Sequence, residues 1–407
     1  MMIKLLRAAF CLLLAVLLSG CGQKAALPTE ATQSPTDATE PAPTEPLVPP
    51  TEATEPPDPI EQLLAQMSLR DEVGQLFIVS PEALMPENSY DQRSMTQVTD
   101  ALRSGLEAYP VGGIIFFAEH ITSPTQISDF NAALQEAVTI PLFLAVDEEG
   151  GVVARLANHS AFDLPRYPSA AAVGASGNPA AALEMGLTIG GYLKRYGFNM
   201  DMAPVADVST NPYNSVIGNR AFSSAPEVAA VMASSMAEGL RQQSIIPVFK
   251  HFPGHGDTAQ DSHTGIAVSY QTVEQLERCE WLPFLEAEAG DCVMVGHIAL
   301  PQVTGDETPA TLSYQIVTEL LKGRLGFQGL VITDSLQMGA ITDTHTSGEA
   351  AVAALQAGCD ILLMPESLPE AFEAVLTALE DGRLDKEWLD ETVRRILEFK
   401  QQHGILN

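Results

Sequence analysis

Cysteine is scarce: five residues in 407. Only Cys279, Cys292 and Cys359 fall beyond the N-terminal leader. Three cysteines give no disulfide framework; one pair at most could form, and buried free thiols are the expectation. Positive charge is scarce too, with 21 Lys and Arg against 52 Asp and Glu for a formal net charge of −31. Residues 22–58 contribute about −6 and the leader about +2, which leaves roughly −27 on the remainder. Such a surface excludes nucleic acid and anionic lipid as ligands. The single marked apolar run, FCLLLAVLLSG (10–20), is too short to span comfortably as a mature helix. No glycine-rich phosphate loop of dinucleotide or P-loop type is present, and DEEGG (147–151) is too short and acidic to be one.

The N-terminus reads as a processed segment. Lys4 and Arg7 precede the apolar run, which ends in Leu18-Ser19-Gly20-Cys21. This resembles a bacterial lipobox, so residues 1–21 are expected to be a lipoprotein signal, with Cys21 diacylated. Acyl chains would hold the protein on the extracytoplasmic face of the cell membrane without a spanning helix. Residues 22–58 are dominated by Pro, Thr, Glu and Ala, and PTEAT recurs at 28–32 and 50–54. With almost nothing apolar to bury, this stretch is expected to be a disordered tether reaching on the order of 100 Å. Residues 59–407 are then expected to form one folded domain.

Eight short apolar runs organise that domain: 75–80, 112–118, 141–147, 198–207, 245–251, 292–298, 329–335 and 359–365. Helical patterns separate most of them, for example 180–197 and 226–243. Continuous apolar strands alternating with helices predict a parallel sheet covered on both faces, and eight such units predict a single (β/α)8 TIM-type barrel. Asp147, Asp207, Lys250 with His251, His297 and Asp334 all lie at or near the C-terminal ends of these runs. One terminal Asp would be an ordinary cap, but five strands ending in ionisable groups converge on one rim. Asp201, inside the fourth run, is expected to be a buried, paired carboxylate, and Asp207 a structural one.

The densest chemistry is in KHFPGHGDTAQDSH (250–263), which holds three of the eight histidines, two aspartates and a lysine across two glycines. Lys, Asp and His are poor core residues, and Pro253, Gly254 and Gly256 prevent a regular helix. Two reactions suit these residues. In one, Asp334 is a nucleophile and His263 a proton donor oriented by Asp261, as in glycosidic cleavage. In the other, His251, His255, His263, His297 and an Asp bind a divalent metal that activates water. The first strand ends in Val79-Ser80-Pro81 without a ligand, helical i, i+4 chelation is unavailable on the loop, and Lys250 and Arg155 would repel a metal. These features favour the first. His255 is read as a loop brace, while His120, His159, His345 and His403 are read as surface residues.

KHFPGHG followed at fixed spacing by DSH, with VITDSLQM (331–338), VDEEGGVVARL (146–156) and IGNRAF (217–222), resembles glycoside hydrolase family 3, in particular its NagZ-type β-N-acetylglucosaminidases. The resemblance implies a retaining exo-β-N-acetylglucosaminidase (β-N-acetylhexosaminidase) acting on muropeptides or short β-1,4 oligosaccharides in cell-wall turnover. It implies Asp334 as nucleophile, His263 as general acid/base and Asp261 as its dyad partner. Asp147, Arg155, Arg220, Lys250 and His251 would hold the terminal sugar. It implies no cofactor and no metal, a carbohydrate as the partner and no nucleic acid; a monomer is expected. Departures are Glu148 where the family often has Gln, Val152 where it has Arg, and Ser335 where a second acid follows the nucleophile. The same residues with phosphate as acceptor would make a phosphorylase, and a binding protein without turnover is the non-enzyme alternative.

Overall fold

The structure is a computed structural model and describes residues 58–85, 91–259 and 265–406. Residues 1–57, which hold the expected signal with Cys21 and all but the last residue of the expected tether, lie outside the described residues, as do Asp261 and His263.

Eight strands, all parallel, form one sheet: β1 (Phe77–Val79), β2 (Gly113–Phe116), β3 (Phe143–Val146), β4 (Met200–Asp201), β5 (Ile246–Phe252), β6 (Cys292–Val295), β7 (Leu330–Thr333) and β8 (Leu362–Leu363). Each falls inside one of the predicted runs or within a residue of it. Every strand residue is buried, which is why the runs are continuously apolar instead of alternating. The ladder is continuous in the order β7-β6-β5-β4-β3-β2-β1-β8. The remaining seam, between β7 and β8, carries one isolated parallel bridge, Ile332 to Ile361, so the barrel is nearly closed.

Side chains stitch that seam. The Val331 N–H donates to Asp360 Oδ2 at 2.8 Å, and the Leu363 N–H donates to Thr333 Oγ1 at 2.9 Å. Asp360 is itself held by Lys322 Nζ at 2.8 Å and by the Arg395 guanidinium. These side-chain oxygens supplement the backbone bonds that cross the seam, in which the Asp360, Thr333 and Leu336 N–H groups donate to the Val331, Ile361 and Leu363 carbonyls at 2.8, 3.0 and 3.0 Å.

Helices cover the sheet, among them Pro124–Glu136 after β2, Pro179–Arg195 after β3 and Pro226–Gln242 after β4. All three start with Pro in the first turn, where its missing N–H costs nothing. Ser123 and Asn178 cap the first two by accepting from Gln126 and Ala180 N–H groups. The C-terminal helix Lys386–Gln402 packs beneath the barrel, where Lys400 Nζ donates to Gln75 Oε1 at 2.7 Å and to the Gly112 carbonyl at 3.0 Å. Its ammonium lies 4.8 Å from the Phe143 ring centroid. Cys279, Cys292 and Cys359 are free thiols, the last two buried.

β4 is much shorter than the 198–207 run. Pro204 cannot donate to a ladder. The chain beyond Asp201 still follows its neighbours irregularly, with Met202 N–H donating to the Val146 carbonyl at 2.8 Å and Val205 bridged to Lys250. His120 is a correction to the surface reading: it is fully buried, with Nε2 2.9 Å from Glu82 Oε2 and the Phe117 N–H donating to Nδ1 at 2.8 Å.

Candidate active site

A cavity of about 470 Å³ opens at the C-terminal ends of the strands, and Asp147, Arg155, Arg220, Lys250, His251 and Asp334 all line it. Six of the predicted site residues are therefore brought together at the end of the barrel where chemistry is expected.

The strongest electrostatic feature is a chain of alternating charges. Lys250, 3% exposed, places Nζ 2.7 Å from Asp147 Oδ1 and 2.7 Å from Glu149 Oε1. Arg220 clamps Glu149 in a bidentate pair, Nε to Oε2 and Nη2 to Oε1, both 2.8 Å. Arg155 reaches Asp147 Oδ2 at 3.3 Å and lies over the Phe117 ring at 5.4 Å. Burial opposes ionisation of each carboxylate, but the cations more than offset it. Asp147 is held below the usual range by Lys250 and Arg155, and Glu149 is pulled down to about 2 by Lys250 and Arg220. Burial likewise disfavours the Lys250 cation, and Asp147 and Glu149 reverse it, so its pKa is raised.

Glu149 is the site residue that the sequence reading missed. The hairpin Glu148–Gly150/Val153–Ala154 follows β3 directly, and its turn has Gly150 and Gly151 at φ 79° and 70°, a region that suits glycine. Along this extended segment side chains alternate. Asp147 and Glu149 face the cavity, while Glu148 turns into the core and accepts from Leu156 and Ala157 N–H groups and from the Tyr192 hydroxyl. Burial raises the Glu148 pKa against those hydrogen bonds.

Asp207, at the end of the β4 run, is fully buried and structural, as expected. Its Oδ2 lies 2.7 Å from His251 Nδ1, and its Oδ1 accepts the His255 N–H at 2.6 Å. It fixes Nδ1 of His251 as the partnered nitrogen and leaves Nε2 for the cavity. His255 braces its loop, with Nδ1 2.7 Å from Thr258 Oγ1. Asp201 is buried as predicted but not ion-paired. Burial raises its pKa well above the usual range, and its Oδ1 accepts the Glu148 N–H at 2.9 Å.

Asp334 follows β7 and is partly open to the cavity. Its Oδ1 accepts the Ser335 N–H at 2.8 Å. Burial acts against its ionisation, but His251, His297 and that N–H outweigh it and hold the pKa low. The stretch leading to Asp261 and His263 is anchored on both described flanks. On entry, Asn214 Nδ2 donates to the His255 carbonyl at 2.7 Å, and Gly256 sits so close to Val208 that a Cβ would lie 1.7 Å from its carbonyl oxygen. On exit, Ala267–Val268 pairs in parallel with Ile298–Ala299 beyond β6.

Carboxylates alternating with ammonium and guanidinium groups suit a ring of hydroxyls, each of which can donate to one neighbour and accept from the next. With Asp334 as a further carboxylate held low in the same cavity but without a salt-bridged cation of its own among the described residues, the barrel is of the glycoside hydrolase kind. The chain belongs to glycoside hydrolase family 3: the "Glycosyl hydrolase family 3 N terminal domain" matches residues 68–399. Beta-hexosaminidase A of Pseudoalteromonas piscicida is 34% identical over 334 residues, covering 75% of this chain and 56% of that protein. Beta-hexosaminidase LpqI of Mycobacterium tuberculosis is 35% identical over 336 residues, covering 79% of this chain and 84% of that protein. A solved structure of a glycoside hydrolase family 3 beta-N-acetylglucosaminidase from Paenibacillus sp. str. FPU-7 superposes with a TM-score of 0.77 at 36% identity, covering 83% of this chain and 63% of that one. The chain thus spans little more than half the length of the first of these relatives.

Proposed function

We propose that the chain is a retaining exo-β-N-acetylglucosaminidase (β-N-acetylhexosaminidase) that removes terminal β-GlcNAc from muropeptides or short β-1,4 oligosaccharides. The observation that carries this reading is Asp334, a carboxylate whose pKa is held low where it lines a cavity of about 470 Å³. With Oδ1 engaged by the Ser335 N–H, Oδ2 is the oxygen that attacks the anomeric carbon. His263, oriented by Asp261, protonates the glycosidic oxygen as the C–O bond breaks and a glycosyl-enzyme ester forms. It then takes a proton from the water that hydrolyses the ester. Asp147, Arg155, Arg220, Lys250 and His251, together with Glu149, hold the sugar hydroxyls. The names of the relatives support the same sugar. Acylated at Cys21, the enzyme would work on the outer face of a bacterial cell membrane, its tether extending it toward the wall.

The test is release of 4-nitrophenol from the β-GlcNAc glycoside, with and without EDTA and inorganic phosphate. The expected result is EDTA-insensitive release with free GlcNAc as product. Asp334→Asn should lower kcat by at least on the order of 10³-fold while Tm is retained. GlcNAc 1-phosphate as product would make the enzyme a phosphorylase, and activity restored only by zinc would make it a metallohydrolase. No turnover on any β-glycoside would leave a sugar-binding role.

A further inference from the structure

The geometry points to His297 as a permanently protonated positioning residue, an imidazolium held by Thr311 and the Ser335 carbonyl whose charge keeps Asp334 an anion. This rests on the reading of Asp334 as nucleophile. His297 follows β6 and is fully buried. Its Nε2 lies 2.8 Å from the Ser335 carbonyl oxygen, which can only accept, so Nε2 carries a proton. Its Nδ1 lies 2.8 Å from Thr311 Oγ1. That hydroxyl has a single proton and sits 3.1 Å from the Val295 carbonyl oxygen and 3.0 Å from that of Gly296. Given to either carbonyl, the proton leaves Oγ1 a lone pair facing Nδ1, and Nδ1 must donate. Turned toward Nδ1 instead, it would leave Oγ1 facing the Gly296 carbonyl oxygen with no proton between them, the Val295 carbonyl being already engaged by the Asp334 N–H at 2.9 Å. Both ring nitrogens therefore donate, and the ring carries a positive charge.

A buried imidazolium requires a counter-charge. Asp334 supplies it, one residue before the Ser335 carbonyl that His297 grips. Ser335 connects the two: its carbonyl accepts from the ring and its N–H donates to the carboxylate at 2.8 Å. His251 and Lys250 of β5 also act on Asp334. Behind Thr311 stands the Cys359 thiol, 3.7 Å from the Thr311 carbonyl and pushed by burial up to about 12, hence neutral.

The test has two readouts on the full chain. Histidine-¹⁵N NMR of the wild type, assigned with His297→Asn, should show both His297 nitrogens protonated from about pH 5.5 to about pH 8.5, where an ordinary histidine titrates. Thr311→Val should let Nδ1 lose its proton and raise the acid-limb pKa of kcat/KM by about one unit, a loss approaching roughly tenfold only at pH values below the wild-type limb and under about twofold at pH 5. Thr311→Ser, which keeps the hydroxyl, should stay within about twofold of wild type. A His297 that titrates near 6.5, or Val and Ser variants with the same pH profile, would overturn the inference. Ring protonation is read on the wild type, so a poorly folding Thr311→Val does not remove the test. A wild type without glycosidase activity would overturn the functional reading instead, and with it the role given to this charge, whatever the ring's protonation.

Discussion

Two lysines are buried at opposite ends of this barrel, and they meet opposite fates. Lys250 at the mouth and Lys400 beneath the floor are 3% and 0% exposed. Burial penalises the cation at both places. At the mouth, Asp147 and Glu149 stand 2.7 Å from the ammonium and reverse the penalty. At the floor, Lys400 finds an amide oxygen, a carbonyl and an aromatic face, none of them anionic, and burial lowers its pKa to about 7. What decides the charge of a buried amine here is the company of carboxylates rather than depth. The functional end concentrates paired ions, while the floor holds an amine close to its neutral form.

The largest break in this comparison is expected from Lys250→Met. It would leave Asp147 and Glu149 buried without their shared cation, costing about 3–5 kcal/mol in stability and most of kcat/KM. Thermal unfolding alongside the β-GlcNAc assay measures both. Unchanged Tm would mean that the carboxylates are satisfied without the lysine.

Next in size is Glu149→Gln. The folded pKa of Glu149 lies below its unfolded value, so its contribution is complete above about pH 4.5 and is lost as pH falls toward 2. The substitution should cost about 3 kcal/mol at neutral pH and progressively less in acid, where the wild type loses the same term. Urea unfolding at several pH values between 3 and 7 should show the two proteins converging at the acid end. A constant gap would show that Glu149 is not held low.

Smallest is Lys400→Met. The folded pKa of this lysine is depressed, so its penalty is full below about pH 7 and is relieved as pH rises toward the unfolded value near 10.5. Relative to the variant, the wild type should gain about 2 kcal/mol between pH 7 and pH 9. Parallel stability curves would place the Lys400 charge outside the folding equilibrium.

The barrel was legible because buried parallel strands leave continuous apolar runs, and all eight appear where those runs stand. What the runs could not show is where the regular ladder stops: β4 ends at Asp201, and the chain beyond it bonds its neighbours only irregularly. Site residues at strand ends were legible from charge following an apolar run. Glu149 was not, because DEEGG reads as a polar turn, although its i, i+2 relation to Asp147 on an extended segment was the available signal. Burial of His120 had no local signal, since its partner Glu82 lies 38 residues away. The raised pKa of Asp201 depends on its burial and on which groups crowd it, information carried by the fold alone.

Asp207 has one more consequence. Through a single carboxylate it holds the ring of His251 and the backbone of His255, while Asn214 grips the carbonyl of the latter. The segment that carries Asp261 and His263 is therefore rooted in residues contributed by a different βα unit. A designer wishing to exchange that segment between relatives could not treat it as a detachable cassette. The graft would take only if the β4 loop travelled with it, which makes the two loops one heritable module.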